Sequence, residues 1–189
     1  HGFGSSEVLT YAYVRANIYE AWKALVGQGK ADAPPHAEGL TDIAYHDNSV
    51  NLSGVSLPSS LQILSFGDGF NQSLDSVNLP RDLRIVTFGA LFNQSLDAIN
   101  LPRHLQTLTF GRDFDLSLDS VTLPSGLETL TFGHDFNQSL DGVNLPAGLK
   151  TLTFGRGFNQ SLDSASLPSN LQTLTCQEAL VNLPSGLQT

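Results

Sequence analysis

The sequence predicts an all-β dominated repeat solenoid: two short parallel sheets in about six to seven coils, preceded by an N-terminal α-helix. Three observations predict it. Leu-Pro pairs recur at Leu57, Leu79, Leu101, Leu123, Leu145 and Leu167, each 22 residues after the last, and a shorter step of 16 reaches Leu183. Each period holds two apolar phrases of one pattern, Leu61-x-x-Leu64-x-Phe66 and Leu74-x-x-Val77-x-Leu79. Residues 6–26 instead carry apolar groups at helical spacing. A strict period of this length marks stacked units, none of which buries its core alone.

The first region is residues 1–36, a helix and linker. Its apolar groups are Val8, Tyr11, Ala12, Ile18, Tyr19, Trp22, Leu25 and Val26, with Arg15 breaking the stripe. Ser5 or Ser6 can cap the start and Gly27 can end the helix. "GQGKADAPPH" then reads as a bend. The helix either covers the first coil or docks on another protein through Tyr11, Tyr19 and Trp22. Arg15, Glu20 and Lys23 argue against membrane insertion.

Residues 37–56 read as a degenerate capping coil. "EGLTDIAYHD" aligns with "SGLETLTFGH", which puts Leu40, Ile43 and Tyr45 at the Leu, Leu and Phe positions; Leu52 and Val55 continue the phrase.

Residues 57–189 form the array. The phrase L-x-x-L-x-L is that of leucine-rich repeats, and its last two apolar residues sit two apart, as inward-facing residues of a strand do. Strands are therefore expected at about residues 62–66 and 75–79 of the first full repeat. Pro80 would stop the second strand, having no N–H to give a ladder. Gly67 would take a positive φ at the corner. Phe70 would fill the bend, and Asn71 would bond nearby backbone groups. Seven side chains per coil face inward: Leu61, Leu64, Phe66, Phe70, Leu74, Val77 and Leu79.

The string LPxxLxxLxFGxxFNQSLDxVx, at residues 57–78, 79–100, 123–144 and 145–166 with Val86, Ile99 and Ala165 as apolar exchanges, resembles the FNIP repeat, a 22-residue leucine-rich-repeat variant of protist proteins. The copy at 101–122 departs from it with Asp115-Leu116, and the copy at 167–182 has Cys176 for Phe and lacks the "NQSLDS" piece. The resemblance implies a solenoid that binds or scaffolds proteins without catalysing a reaction. The aromatic N-terminal helix offers the alternative of an accessory subunit of a larger complex, organellar or photosynthetic, docked by that helix.

Charge narrows the partners. With 9 Lys+Arg against 18 Asp+Glu, the chain has a formal net charge of −9. Nucleic acid and anionic lipid both favour basic surfaces, so a protein partner is expected and nucleic acid is not. One cysteine rules out an internal disulfide and a Cys-based zinc site. The chain has no Met and begins at His1, which is compatible with a removed leader, organellar or secretory, or with a fragment. No compartment is named by the sequence.

Chemistry is sparse. His1 could form half of a copper brace, but His36, His46, His104 and His134 occupy unrelated contexts. Asp75, Asp97, Asp119, Asp141 and Asp163 share one slot, which suits exposed carboxylates bonding turn N–H groups better than a buried charge row. Ser and Asp recur in every copy, whereas a nucleophile is a singular residue in a tuned pocket. No catalytic residue, metal or cofactor is expected.

The outward side of the first strand is the candidate partner-binding face. It offers Thr107 and Thr109, Thr129 and Thr131, Thr151 and Thr153, and Thr173 and Thr175, after Ile63 and Ser65 and then Ile85 and Thr87. A double file of threonines also suits ice binding, which is the alternative use of this face.

Overall fold

The structure, a computed structural model, describes residues 42–45, 52 and 57–176. It contains one parallel sheet of seven strands in sequential order. These are β1 (Asp42–Tyr45), β2 (Ile63–Phe66), β3 (Ile85–Thr87), β4 (Thr107–Thr109), β5 (Thr129–Thr131), β6 (Thr151–Phe154) and β7 (Thr173–Cys176). The register advances 22 residues per strand, as in Leu64 opposite Val86 and Leu108 opposite Leu130. β1 is set with Ile43 opposite Leu64 and Tyr45 opposite Phe66. The expected helix over 6–26, with Tyr11, Tyr19 and Trp22, lies outside the described residues.

The first phrase folds as the pattern demands. Leu64 and Phe66 point inward and are buried, while Ile63 and Ser65 between them point out and are half-buried. The second phrase does not form a second sheet. The Val77 N–H donates to the Leu74 carbonyl at 2.8 Å, and the same turn closes between Leu96 and Ile99, Leu118 and Val121, Leu140 and Val143, and Leu162 and Ala165. A turn brings residues three apart to the same side, so Leu-x-x-Val is buried at both ends without a strand. Ser-x-Asp supports it: the Asp75, Asp97, Asp119, Asp141 and Asp163 N–H groups each donate to the Ser hydroxyl two residues earlier, at 3.0–3.1 Å. The hydroxyl, not the Asp side chain, serves the turn N–H.

Pro80 likewise ends no strand. It is buried, and its carbonyl accepts from Leu83 in the turn that leads to β3. Of the seven inward residues, all are buried except Leu79, which is half-buried.

Two files of phenylalanine run through the stack. Phe66, Phe88, Phe110, Phe132 and Phe154 lie next to the strands, with ring centroids 5.2, 5.5, 5.6 and 5.4 Å apart. Phe70, Phe92, Phe114, Phe136 and Phe158 lie beyond them, at spacings of 6.1 to 6.2 Å. Strands in a sheet lie about 4.8 Å apart. The coil-to-coil distance therefore grows with distance from the sheet, and the stack fans open away from it. The sheet occupies the inner side of that curve.

The glycine after each strand answers to packing. A Cβ on Gly89, Gly111, Gly133 or Gly155 would lie under 3.0 Å from the backbone of the glycine one coil earlier. None of the four has a left-handed φ; in these copies of the Gly67 slot, glycine serves a close approach of backbones. The asparagines also work between coils. The Asn93 N–H donates to Asn71 Oδ1, Asp115 to Asn93, Asn137 to Asp115 and Asn159 to Asn137, at 2.8–3.2 Å. The Gln94, Gln138 and Gln160 amides reach the same oxygens, at 2.9–3.1 Å. Asp115 keeps the acceptor oxygen, which is what the ladder requires of that slot.

Stacking of this kind is testable at two slots. Gly133→Ala forces a methyl into backbone and lowers stability by about 1–3 kcal/mol, while Gly69→Ala, whose Cβ would meet nothing within 4 Å, shifts it by no more than about 1 kcal/mol in either direction. Urea unfolding of the two variants separates them, and equal losses would refute the packing reason. Asn137→Ala strips the acceptor from Asn159 and Gln160 and costs about 1–2 kcal/mol, whereas Asp115→Asn preserves the oxygen and stays within about 0.5 kcal/mol of the parent.

Candidate functional site

Strand alternation delivers the face expected from sequence. Ile63, Ile85, Thr107, Thr129, Thr151 and Thr173 make one file across β2–β7. Ser65, Thr87, Thr109, Thr131, Thr153 and Thr175 make the second. From Ile63 to Thr153 these side chains are half-buried by their neighbours, and on β7 Thr173 and Thr175 are exposed. All eight candidate threonines thus share one surface, on the inner side of the curve.

Two charged rims flank that surface, and sequence reasoning missed both. Ahead of the strands stand Gln62, Arg84, Gln106, Glu128, Lys150 and Gln172. Lys150 reaches Glu128 on the preceding coil at 2.9 Å. After the strands stand Asp68, Ala90, Arg112, His134 and Arg156. Arg112 Nε donates to Asp113 at 2.7 Å, and that hydrogen bond, with the carboxylate charge, raises the guanidinium above its ordinary value. His134 Nδ1 lies 2.5 Å from Asp135 Oδ1. The signal was present in the slots that vary between copies, but a slot acquires a rim only when its place in the coil is known.

The remaining polar groups do not converge. The five-Asp file is exposed on the Leu74–Val77 turn and its equivalents, on a different part of the coil from the threonines. His104 pairs with Asp82 ahead of the sheet and His134 with Asp135 after it, so the two lie at opposite rims. Among the described residues no group of three or more His, Cys, Asp or Glu could hold a metal ion. No side chain with a buried polar or charged character enters the core among them. No helix of the described residues is long and apolar enough to cross a membrane.

Cys176 stands where the Phe66 file would continue, opposite Phe154 in the register. It is half-buried, and burial raises its thiol pKa. Less thiolate is then present at a given pH, and the thiolate is the nucleophile. Iodoacetamide at pH 8 should alkylate Cys176 more slowly than a small free thiol; an equal or faster rate would contradict its shielded place at the end of the phenylalanine file.

The comparisons agree with this architecture. No curated protein sequence matches the chain significantly. The crystal structure of CroV588, described as a novel circular LRR protein structure, is similar at 35% identity and a TM-score of 0.54. The match covers 77% of this chain and 26% of that one, so the chain spans about a quarter of the length of its structural neighbour. The FNIP Repeat family model matches residues 50–90, 92–135 and 136–175. With that match over most of its length, on a single parallel sheet of 22-residue coils, the chain belongs to the FNIP repeat family.

Proposed function

We propose that this protein is a non-catalytic scaffold that binds another protein along the inner, threonine-lined face of its sheet. The observation that supports it is the register: two files of outward side chains cross β2–β7 without interruption, between two charged rims. A face of hydroxyl and methyl groups offers hydrogen bonds and apolar contact at little desolvation cost. Leucine-rich-repeat-like arrays, whose stacked coils make long concave surfaces, suit the same use.

The threonine files also invite the ice-binding reading, since their register is regular. Curvature counts against it. The spacing rises from about 4.8 Å at the strands to 6.1–6.2 Å at the outer phenylalanines. A surface on the inner side of such a fan meets a convex partner better than a flat crystal plane.

Both readings are tested by one pair of substitutions. Thr131→Lys with Thr153→Lys places two cations in the middle of the face, on strands whose cores are untouched. The thermal midpoint should stay within a few degrees, and capture of the native partner from the source cell should fall at least tenfold. Capture unaffected by the double substitution would end the scaffold reading of this face. Ice crystals shaped by the parent but not by the variant would replace it with the other.

A further inference from the structure

An array of like coils presents like surfaces, so its discrimination between partners rests on coils that depart from the pattern. Among the described residues the outward departures concentrate at the turn before β3 and the one before β4. The two residues after Pro are Ser59-Ser60, Ser125-Gly126, Ala147-Gly148 and Ser169-Asn170 in other coils, but Arg81-Asp82 and Arg103-His104 here. Arg84 adds a third guanidinium just ahead of β3. Arg81 is 86% exposed, and Arg84, Arg103 and His104 are exposed as well.

The charges at this corner are not balanced. Elsewhere Arg112 has Asp113 and Lys150 has Glu128, while Arg156, exposed after β6, stands singly among the described residues. Here a single carboxylate, Asp82, is shared at 3.9 Å by Arg81 and His104. Arg84 and Arg103 have no ion-pair partner among the described residues. The chain as a whole is strongly acidic. Charges more than about 8–10 Å away are largely screened at physiological salt, so a partner at this corner responds to the local cations.

Apolar surface adjoins them. In the register Ile63 and Ile85 sit side by side at the outward position that threonine fills from β4 onward, and Ile85 directly follows Arg84. Arginine is among the residues that dominate binding energy at protein interfaces, and the aliphatic pair beside it adds apolar contact. Guanidinium groups pair carboxylates in two-pronged fashion.

Resting on the scaffold reading, we infer that the Arg81–Arg84–Arg103 corner and the Ile63–Ile85 pair bind an acidic segment of the partner protein, with an aliphatic side chain next to its carboxylates. Nucleic acid fits less well. The cations span two coils only, while affinity for phosphate backbones needs a longer track. All ten described phenylalanines are buried, so none offers a stacking platform for bases.

The test pans a random 12-residue peptide library, displayed on phage, against the full chain. The enriched peptides should hold two or more Asp or Glu beside Leu, Ile or Val. Their affinity, measured by fluorescence anisotropy, should drop at least tenfold in the Arg84→Glu, Arg103→Glu double variant and fall with added salt, at unchanged thermal midpoint. Peptides without acidic bias, or affinity that survives charge reversal, would overturn the inference. A 20-nucleotide oligouridylate that binds more tightly than the peptides would overturn it too. Peptides lost in Thr131→Lys but kept by the charge-reversed variant would remove the corner and leave the scaffold reading standing. A library that returns no binder to either surface removes both.

Discussion

The close approach of one coil to the next governs the rest of the molecule. It is set where strand gives way to bend, and the glycine there lies against the glycine of the preceding coil with no room for a methyl group. Backbones at that distance form the strand ladder, and a second ladder continues in the bend: Leu91 donates to Asp68, Asp113 to Ala90 and Asp135 to Arg112, at 2.8–2.9 Å. The phenylalanines then lie over one another with interplanar angles of 3–10° in the outer file between neighbouring coils. Any residue larger than glycine would part the ladders and the rings together. The coil cannot be stable alone, because a handful of buried side chains does not offset the ordering of so many backbones. Contact with neighbours makes up the difference, and the contact tolerates one register.

Curvature follows from the side of the coil that has no strand. At Leu74–Val77 the backbone satisfies itself locally in a turn, so no ladder holds adjacent coils at strand spacing there. The sheet side is pinned by its ladder, while the outer phenylalanines lie 6.1–6.2 Å apart from coil to coil. A stack pinned on one side and spread on the other bends, with its sheet inward.

The part of this that could be read from sequence is the part in which side-chain identity and backbone geometry point the same way. Thr-Leu-Thr-Phe alternates with a period of two and is β-branched at its outward sites, so its strand and its outward threonines were legible. Leu74-x-x-Val77 is ambiguous: the spacing of three suits a turn, while Val77 and Leu79, two apart, suit a strand. The deciding residues were Ser73 and Asp75, which close a turn through the Ser hydroxyl. Asn71 is recognisable as a backbone-bonding residue, but its partner lies 22 residues away, and local reasoning has no access to that distance. Gly67 suggests a conformational role, whereas at its equivalents Gly89, Gly111, Gly133 and Gly155 the close approach of backbones is what demands glycine. The rims were invisible for a related reason: Arg84, Lys150, Arg112 and His134 are scattered in the chain, and only the register brings them to two edges.

Repetition has a chemical consequence as well. A residue fixed in every coil by stacking faces the same neighbours above and below, so its environment is an average one. Catalysis requires the reverse, a group made different by its surroundings. Here the inward slots are filled by Leu, Val, Ile and Phe almost without exception, and the described core contains no buried polar residue to perturb. What remains free to differ is the outward surface, where a change costs little stability because no stacked partner depends on it. The ladder slot at Asp115 shows the limit of that freedom: an exchange is accepted where the acceptor oxygen survives. Arg84 meets no such restriction, since its side chain is exposed. Cohesion is thereby assigned to residues that must repeat, and variation is left to those that need not.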